Sequence, residues 1–89
     1  MNKYSYKKLE QTQDRETVVL LTVSPQPDWE DFTEFVKEFV EQEQGRVVEQ
    51  DYGMDRHQIR YDVGNVRYIL QYEHYSDSIW VEQEVERQY

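Results

Sequence analysis

The sequence predicts an α+β two-layer sandwich: one amphipathic helix packed on a four- to five-stranded, mainly antiparallel sheet, in the order β-α-β-β-β-β. Three observations carry this. The stretch "IRYDVGNVRYIL" (59–70) alternates apolar and polar residues up to a Gly-Asn pair and alternates again after it, which is the signature of a hairpin. "TVVLLTV" (17–23) is β-branched and short, as a strand should be. Between them Trp29, Phe32, Val36, Phe39 and Val40 recur at three- and four-residue spacing, with Phe35 beside them, giving one broad helical stripe. A chain of 89 residues has room for one domain of this kind, spanning 1–89.

The N-terminal "MNKYSYKKLEQTQDRE" is polar, with Tyr4, Tyr6 and Leu9 as its large apolar groups, and reads as loose chain or a short edge strand. It has no apolar core region, so no signal peptide is expected. Pro25 and Pro27 end the strand 17–23 because they cannot continue a ladder. Asp28 is the expected helix N-cap, and the charge of Asp31 supports the same terminus. Gly45 is placed to end the helix in a left-handed turn. A strand at 46–50 follows, and Gly53 lies in the connection to the hairpin strands 56–63 and 66–74.

Gly64-Asn65 suits a type II′ turn, and a two-residue loop fixes the register. Val63 then faces Val66, Tyr61 faces Tyr68, Ile59 faces Leu70 and His57 faces Tyr72, all on one side. On the other side Asp62 meets Arg67 and Arg56 meets Glu73, two opposite-charge pairs. A four-residue loop at 75–78 sets Tyr72 opposite Val81 and His74 opposite Ile79. The tail, 84–89, reads as frayed or a strand extension. Nothing in the pattern fixes where strand 17–23 joins the sheet; a cystatin-like arrangement is one candidate by topology.

Hydrophobic residues make up 37% and charged residues 33%, and mean hydropathy is −1.04. These values approach those of disordered chains. Periodic placement and 15% aromatic content argue for a core, because each ring buries a large area. The net charge of −9 disfavours nucleic acid and anionic membranes as partners and favours a basic one. Without cysteine there is no disulfide framework or thiolate nucleophile. "VVLLTV" is too short to span a bilayer. The expected compartment is the cytoplasm.

Two features could carry function. The first is the sheet face away from the helix. Trp80 must point there if Ile79 and Val81 point inward; Ile69 joins it, and Tyr75 and Val47 are assigned to the same side. The strand 17–23 is apolar at both parities and adds to this face. An apolar patch of this kind marks a docking surface for another protein or a second copy, unless the Tyr4/Tyr6 segment or the tail covers it. The acidic helix face, Glu30, Asp31, Glu34, Glu38 and Glu41 relieved by Lys37, is a second possible docking surface. The second feature is the pair His57 and His74, placed on one face near one sheet end with Asp51, Asp55 and Glu73 nearby. Imidazole and carboxylate are metal ligands, although the spacing matches no known ligand motif. "HYSDS" (74–78) gathers His, Ser and Asp within one turn, where a catalytic triad cannot converge. No catalytic residue and no cofactor is expected.

The stretch "GMDRHQIRYDVGNVRYILQYEHYSDSIWVE" (53–82) resembles a small bacterial protein family known as a domain of unknown function. Gly53-Met54-Asp55-Arg56-His57, Tyr72-Glu73 and Ile79-Trp80-Val81-Glu82 carry the resemblance, with Trp29 ahead of the helix. It implies no activity, cofactor or site residue. The expectation is therefore a non-enzymatic, small acidic interaction or regulatory module. The alternative is a small metal- or ligand-binding protein using His57 and His74.

Overall fold

The computed structural model describes residues 2–13 and 16–84. Its strands are β1 (Ser5–Gln13), β2 (Glu16–Ser24), β3 (Arg46–Tyr52), β4 (Arg56–Val63), β5 (Val66–Glu73) and β6 (Ser78–Gln83). The helix α1 (Phe32–Gln42) lies between β2 and β3. All strands join one antiparallel sheet in the order β1-β2-β6-β5-β4-β3. The α+β class holds, with six strands and the order β-β-α-β-β-β-β. The added strand is β1, paired along its whole length with β2 from Ser5↔Ser24 to Gln13↔Glu16. The strand that precedes the helix pairs with the last strand, Leu20 opposite Trp80.

The hairpin of β4 and β5 has the expected register: Val63↔Val66, Tyr61↔Tyr68, Ile59↔Leu70 and His57↔Tyr72. Gly64 takes φ +60° while Asn65 stays at negative φ, as a type II′ turn requires. The next connection differs from expectation. Tyr72 faces Ile79 and Leu70 faces Val81, so the loop is 74–77 and His74 lies in it rather than opposite Ile79. Asp77, at φ 53°, takes the left-handed position that closes this loop one residue earlier than composition suggests, which moves the pairing by two. A shift of two keeps every side chain on its face.

Helix boundaries also differ. Asp28 Oδ1 accepts the backbone N–H groups of Glu30 (3.0 Å) and Asp31 (2.8 Å), closing a separate turn ahead of the helix. The helix starts at Phe32, and the Asp31 carbonyl accepts from Glu34 N–H at 3.0 Å. That turn leaves Trp29 outside the helix, stacked on His57. At the C-terminus the left-handed residue is Gln44, φ 58°, not Gly45. Gln44 N–H donates to Glu41 O (3.0 Å) and Gly45 N–H to Val40 O (2.9 Å), a Schellman motif. Gly45 serves close packing instead, since a Cβ there would meet Asp62 O at 2.8 Å.

The core lies between α1 and one sheet face. Phe32, Phe35, Val36, Phe39 and Val40 are buried against Leu21, Val23, Ile59, Tyr61, Leu70 and Tyr72, with Ile79 and Val81 beneath. Tyr4 and Tyr6 belong to this layer: Tyr4 meets Phe35 edge-on at 5.6 Å and Tyr6 meets Phe39 at 5.0 Å. The N-terminal segment therefore covers the helix side, not the far face. Much of the acidic helix surface is spent holding it there. Lys3 pairs with Glu34 (3.3 Å), Tyr4 N–H donates to Glu38 (2.9 Å), and Glu43 accepts the Tyr6 hydroxyl (2.7 Å) and the Lys8 ammonium.

Candidate interaction face

Opposite the helix, the sheet face is built from cross-strand rows. One row runs Leu9, Leu20, Trp80, Gln71, Gln58 across β1, β2, β6, β5 and β4. The adjacent row runs Gln11, Val18, Glu82, Ile69, Arg60. The parity of β2 is thereby settled: Val19, Leu21 and Val23 point to the core, while Val18 and Leu20 point away. The apolar half of the face is Leu9, Leu20, Trp80, Val18 and Ile69, and no described element packs over it. Leu9 is 59% exposed.

The other half is an ordered polar net. Trp80 Nε1 donates to Glu82 Oε1 (3.0 Å), and Gln71 Nε2 to Glu82 Oε2 (2.9 Å). Gln58 Nε2 donates to Gln71 Oε1 (3.2 Å). The Arg56 guanidinium sits 5.6 Å from the centre of the Trp80 ring. Arg60 reaches Glu84 at 3.4 Å and Glu49 at 3.8 Å, and Arg67 grips Asp62 through two nitrogens at 2.8 and 3.2 Å. Trp80 is thus fixed at both its N–H and its face, so docking would lose little side-chain entropy.

Two residues assigned to this face lie elsewhere. Val47 pairs with Tyr61 and packs against the core. The register shift between Val47 and Glu49 leaves Val48 as the inserted, exposed residue, so the strand's parity changes within two positions. Tyr75 sits in the loop after β5, 79% exposed, its ring 5.9 Å from His74.

The structure brings His57 and His74 together, but through an indole. Trp29 stacks on His57 at 3.6 Å and meets His74 at 4.8 Å. Phe32, Tyr52 and Tyr72 complete the surround of His57. His57 Nδ1 is buried with no hydrogen-bond partner among the described residues. Desolvation lowers its pKa, opposed by the Trp29 backbone and Asp51 and reinforced by His74. Among the described residues no three His, Cys, Asp or Glu groups converge, so a metal held by this pair would lack a third ligand. In the "HYSDS" loop, Asp77 Oδ1 accepts the Tyr72 hydroxyl (3.0 Å) while His74 turns to Trp29, so neither group is directed at a serine.

A further concavity, not evident from sequence, lies on the helix side beyond the last turn of α1. Eleven helical residues reach about 16 Å, whereas strands of eight or nine residues run about 27–30 Å. The uncovered corner is a groove of about 340 Å³.

A family of proteins of unknown function, DUF3630, matches residues 8–89. The chain belongs to that family. The DUF3630 match takes in the helix, β2 to β6 and most of β1, including Leu9, Leu20 and Trp80; Tyr4 and Tyr6 precede it. No curated protein and no solved structure matches the chain. Among the described residues no helix is long and apolar enough to cross a membrane.

Proposed function

We propose that this member of DUF3630 is a non-enzymatic protein-interaction module that docks through the open sheet face centred on Trp80. One observation carries the reading. Leu9, Leu20 and Trp80 stand side by side across three strands on a face that no described element covers. Contiguous exposed apolar surface rimmed by polar groups is the mark of a docking site. Trp and Arg supply a large share of interface energy, and here Arg56 already lies against Trp80. The acidic helix surface is a weaker candidate, because Glu34, Glu38 and Glu43 are engaged with Lys3, Tyr4 and Tyr6 of the N-terminal segment.

Leu9→Lys and Trp80→Ser test this. Light scattering after size exclusion reads self-association, and affinity capture from the native cell followed by mass spectrometry reads other partners. The expected result is a species, second copy or partner, held by the parent chain and lost by both variants. Far-ultraviolet circular dichroism should stay unchanged, since neither side chain contributes to the core. An identical mass and an identical captured set in parent and variants would overturn the proposal.

A further inference from the structure

The groove beyond α1 has a defined chemistry. Its floor is the cross-strand pair Tyr61 and Tyr68, rings 5.5 Å apart, flanked by Val19 and Val81. Phe39 and Glu43 from the end of the helix form one wall, and Lys8 and Glu10 from β1 form the other. At about 340 Å³ it falls in the lower range of small-molecule sites, and its lining of rings and methyls with a few polar groups is their usual composition. Tyr61, only 2% exposed, supplies the hydroxyl of the floor's more deeply buried ring. Burial, together with Glu43 and the neighbouring phenols, raises the pKa of that hydroxyl, so it stays protonated and offers both a donor and a lone pair.

Three independent features give the groove one electrostatic preference. Glu10 and Glu43 outnumber Lys8, and Lys8 is already tied to Glu43. The C-terminus of α1 is the negative end of the helix dipole, and its last turn contains no basic residue. The partly exposed Tyr68 ring presents a negative π face, which attracts cations. An anion would meet all three unfavourably. A neutral apolar guest would gain the floor contacts and nothing from the walls.

We propose that this groove binds a small organic cation, its charged head against Tyr68 and facing Glu10 and the end of α1. The site is separate from the Trp80 face, which lies on the opposite side of the sheet.

Choline is the probe, with 3,3-dimethylbutan-1-ol as its neutral isostere and 3,3-dimethylbutanoate as an anion of the same bulk. Titrations are followed by amide shifts of the full-length protein. Choline should shift the amides of Val19, Tyr61 and Tyr68 and bind about tenfold tighter than the neutral isostere, the scale of a partly desolvated cation–π contact. Glu10→Gln, on an exposed edge strand, and Tyr68→Leu should each weaken choline about three- to fivefold while leaving the neutral alcohol unaffected in the first case. Trp80→Ser should titrate as the parent does, which separates this result from the fate of the docking face. Equal shifts with the alcohol, stronger shifts with the anion, or no shift at the groove amides with choline would each overturn the proposal.

Discussion

Gln44 occupies a backbone position that favours glycine, and Gly45 beside it occupies one that needs no positive φ. The two residues do different work. At φ 58° the Gln44 Cβ crowds its own carbonyl, so Gln44→Gly should raise stability by about 1 kcal/mol in urea unfolding. Gly45→Ala should lower it by about 1–3 kcal/mol, because the added methyl meets the Asp62 carbonyl at 2.8 Å and Val63 Cγ2 at 3.1 Å. His57 sets an acid limit at the same scale. Its folded pKa lies below the ordinary 6.5 because the ring is desolvated under Trp29. The unfolded chain therefore binds the proton first. Stability should be level above about pH 6.5 and fall as pH drops below it, until the folded form also protonates. His57→Phe keeps the stack, removes the unpaired Nδ1 and should gain about 1 kcal/mol at neutral pH with a flatter acid limb. Thermal melts across pH, with Trp29 fluorescence as the local reporter, check both.

β1 shows how an element can be held by polar contacts that sequence periodicity does not reveal. Tyr4 just ahead of it and then Tyr6, Lys8 and Glu10 within it face the helix side, an alternation that turns polar halfway, which is why the segment reads as loose chain. The structure places each tyrosine against the helix and gives the acidic stripe a local role in receiving them. Tyr6→Phe should cost about 1 kcal/mol, the net worth of its hydrogen bond to Glu43, and should loosen β1 ahead of the rest of the sheet in amide exchange. The hairpin β4–β5 was legible to the last pair because a two-residue turn leaves one register for an apolar face. The β5–β6 loop was not, because Asp77 adopts a left-handed conformation that composition does not announce. The assignment of Val47 to the far face failed for a related reason: "RVVEQ" offers two valines at opposite parities, and only the bulge decides which is inside. Trp80 and Ile69 were placed correctly because their strand neighbours are unambiguous. Residue periodicity does not reveal the groove, although its signal is present in the mismatch between an eleven-residue helix and the longer strands.

At the scale of the whole molecule, the chain closes one layer over another with a single helix, and the first strand completes that layer. The same burial sets an alkaline limit. Tyr6, Tyr61 and Tyr72 all have pKa values raised by desolvation, Tyr72 to about 12 with help from its hydrogen bond to Asp77. The folded state keeps these protons longer than the unfolded chain, so stability is full below about pH 10 and falls above it. The dependence on β1 makes a sharper test. Removing residues 1–13 takes away Tyr4 and Tyr6, uncovers Phe35 and Phe39, and turns β2 into an edge that is apolar on both faces. A bare apolar edge pairs with other chains. The truncated chain should lose its cooperative thermal transition and associate in light scattering. A full-length Tyr4→Ala, Tyr6→Ala variant separates the two causes. It keeps the edge strand and loses only the rings, at about 3–5 kcal/mol for the buried Tyr4 and less for the half-buried Tyr6, against a total of about 5–15 kcal/mol for a domain. That variant should melt far lower yet associate no more than the parent while folded. If the truncated chain instead melts cooperatively near the parent temperature, β1 is an appendage and the core closes without it.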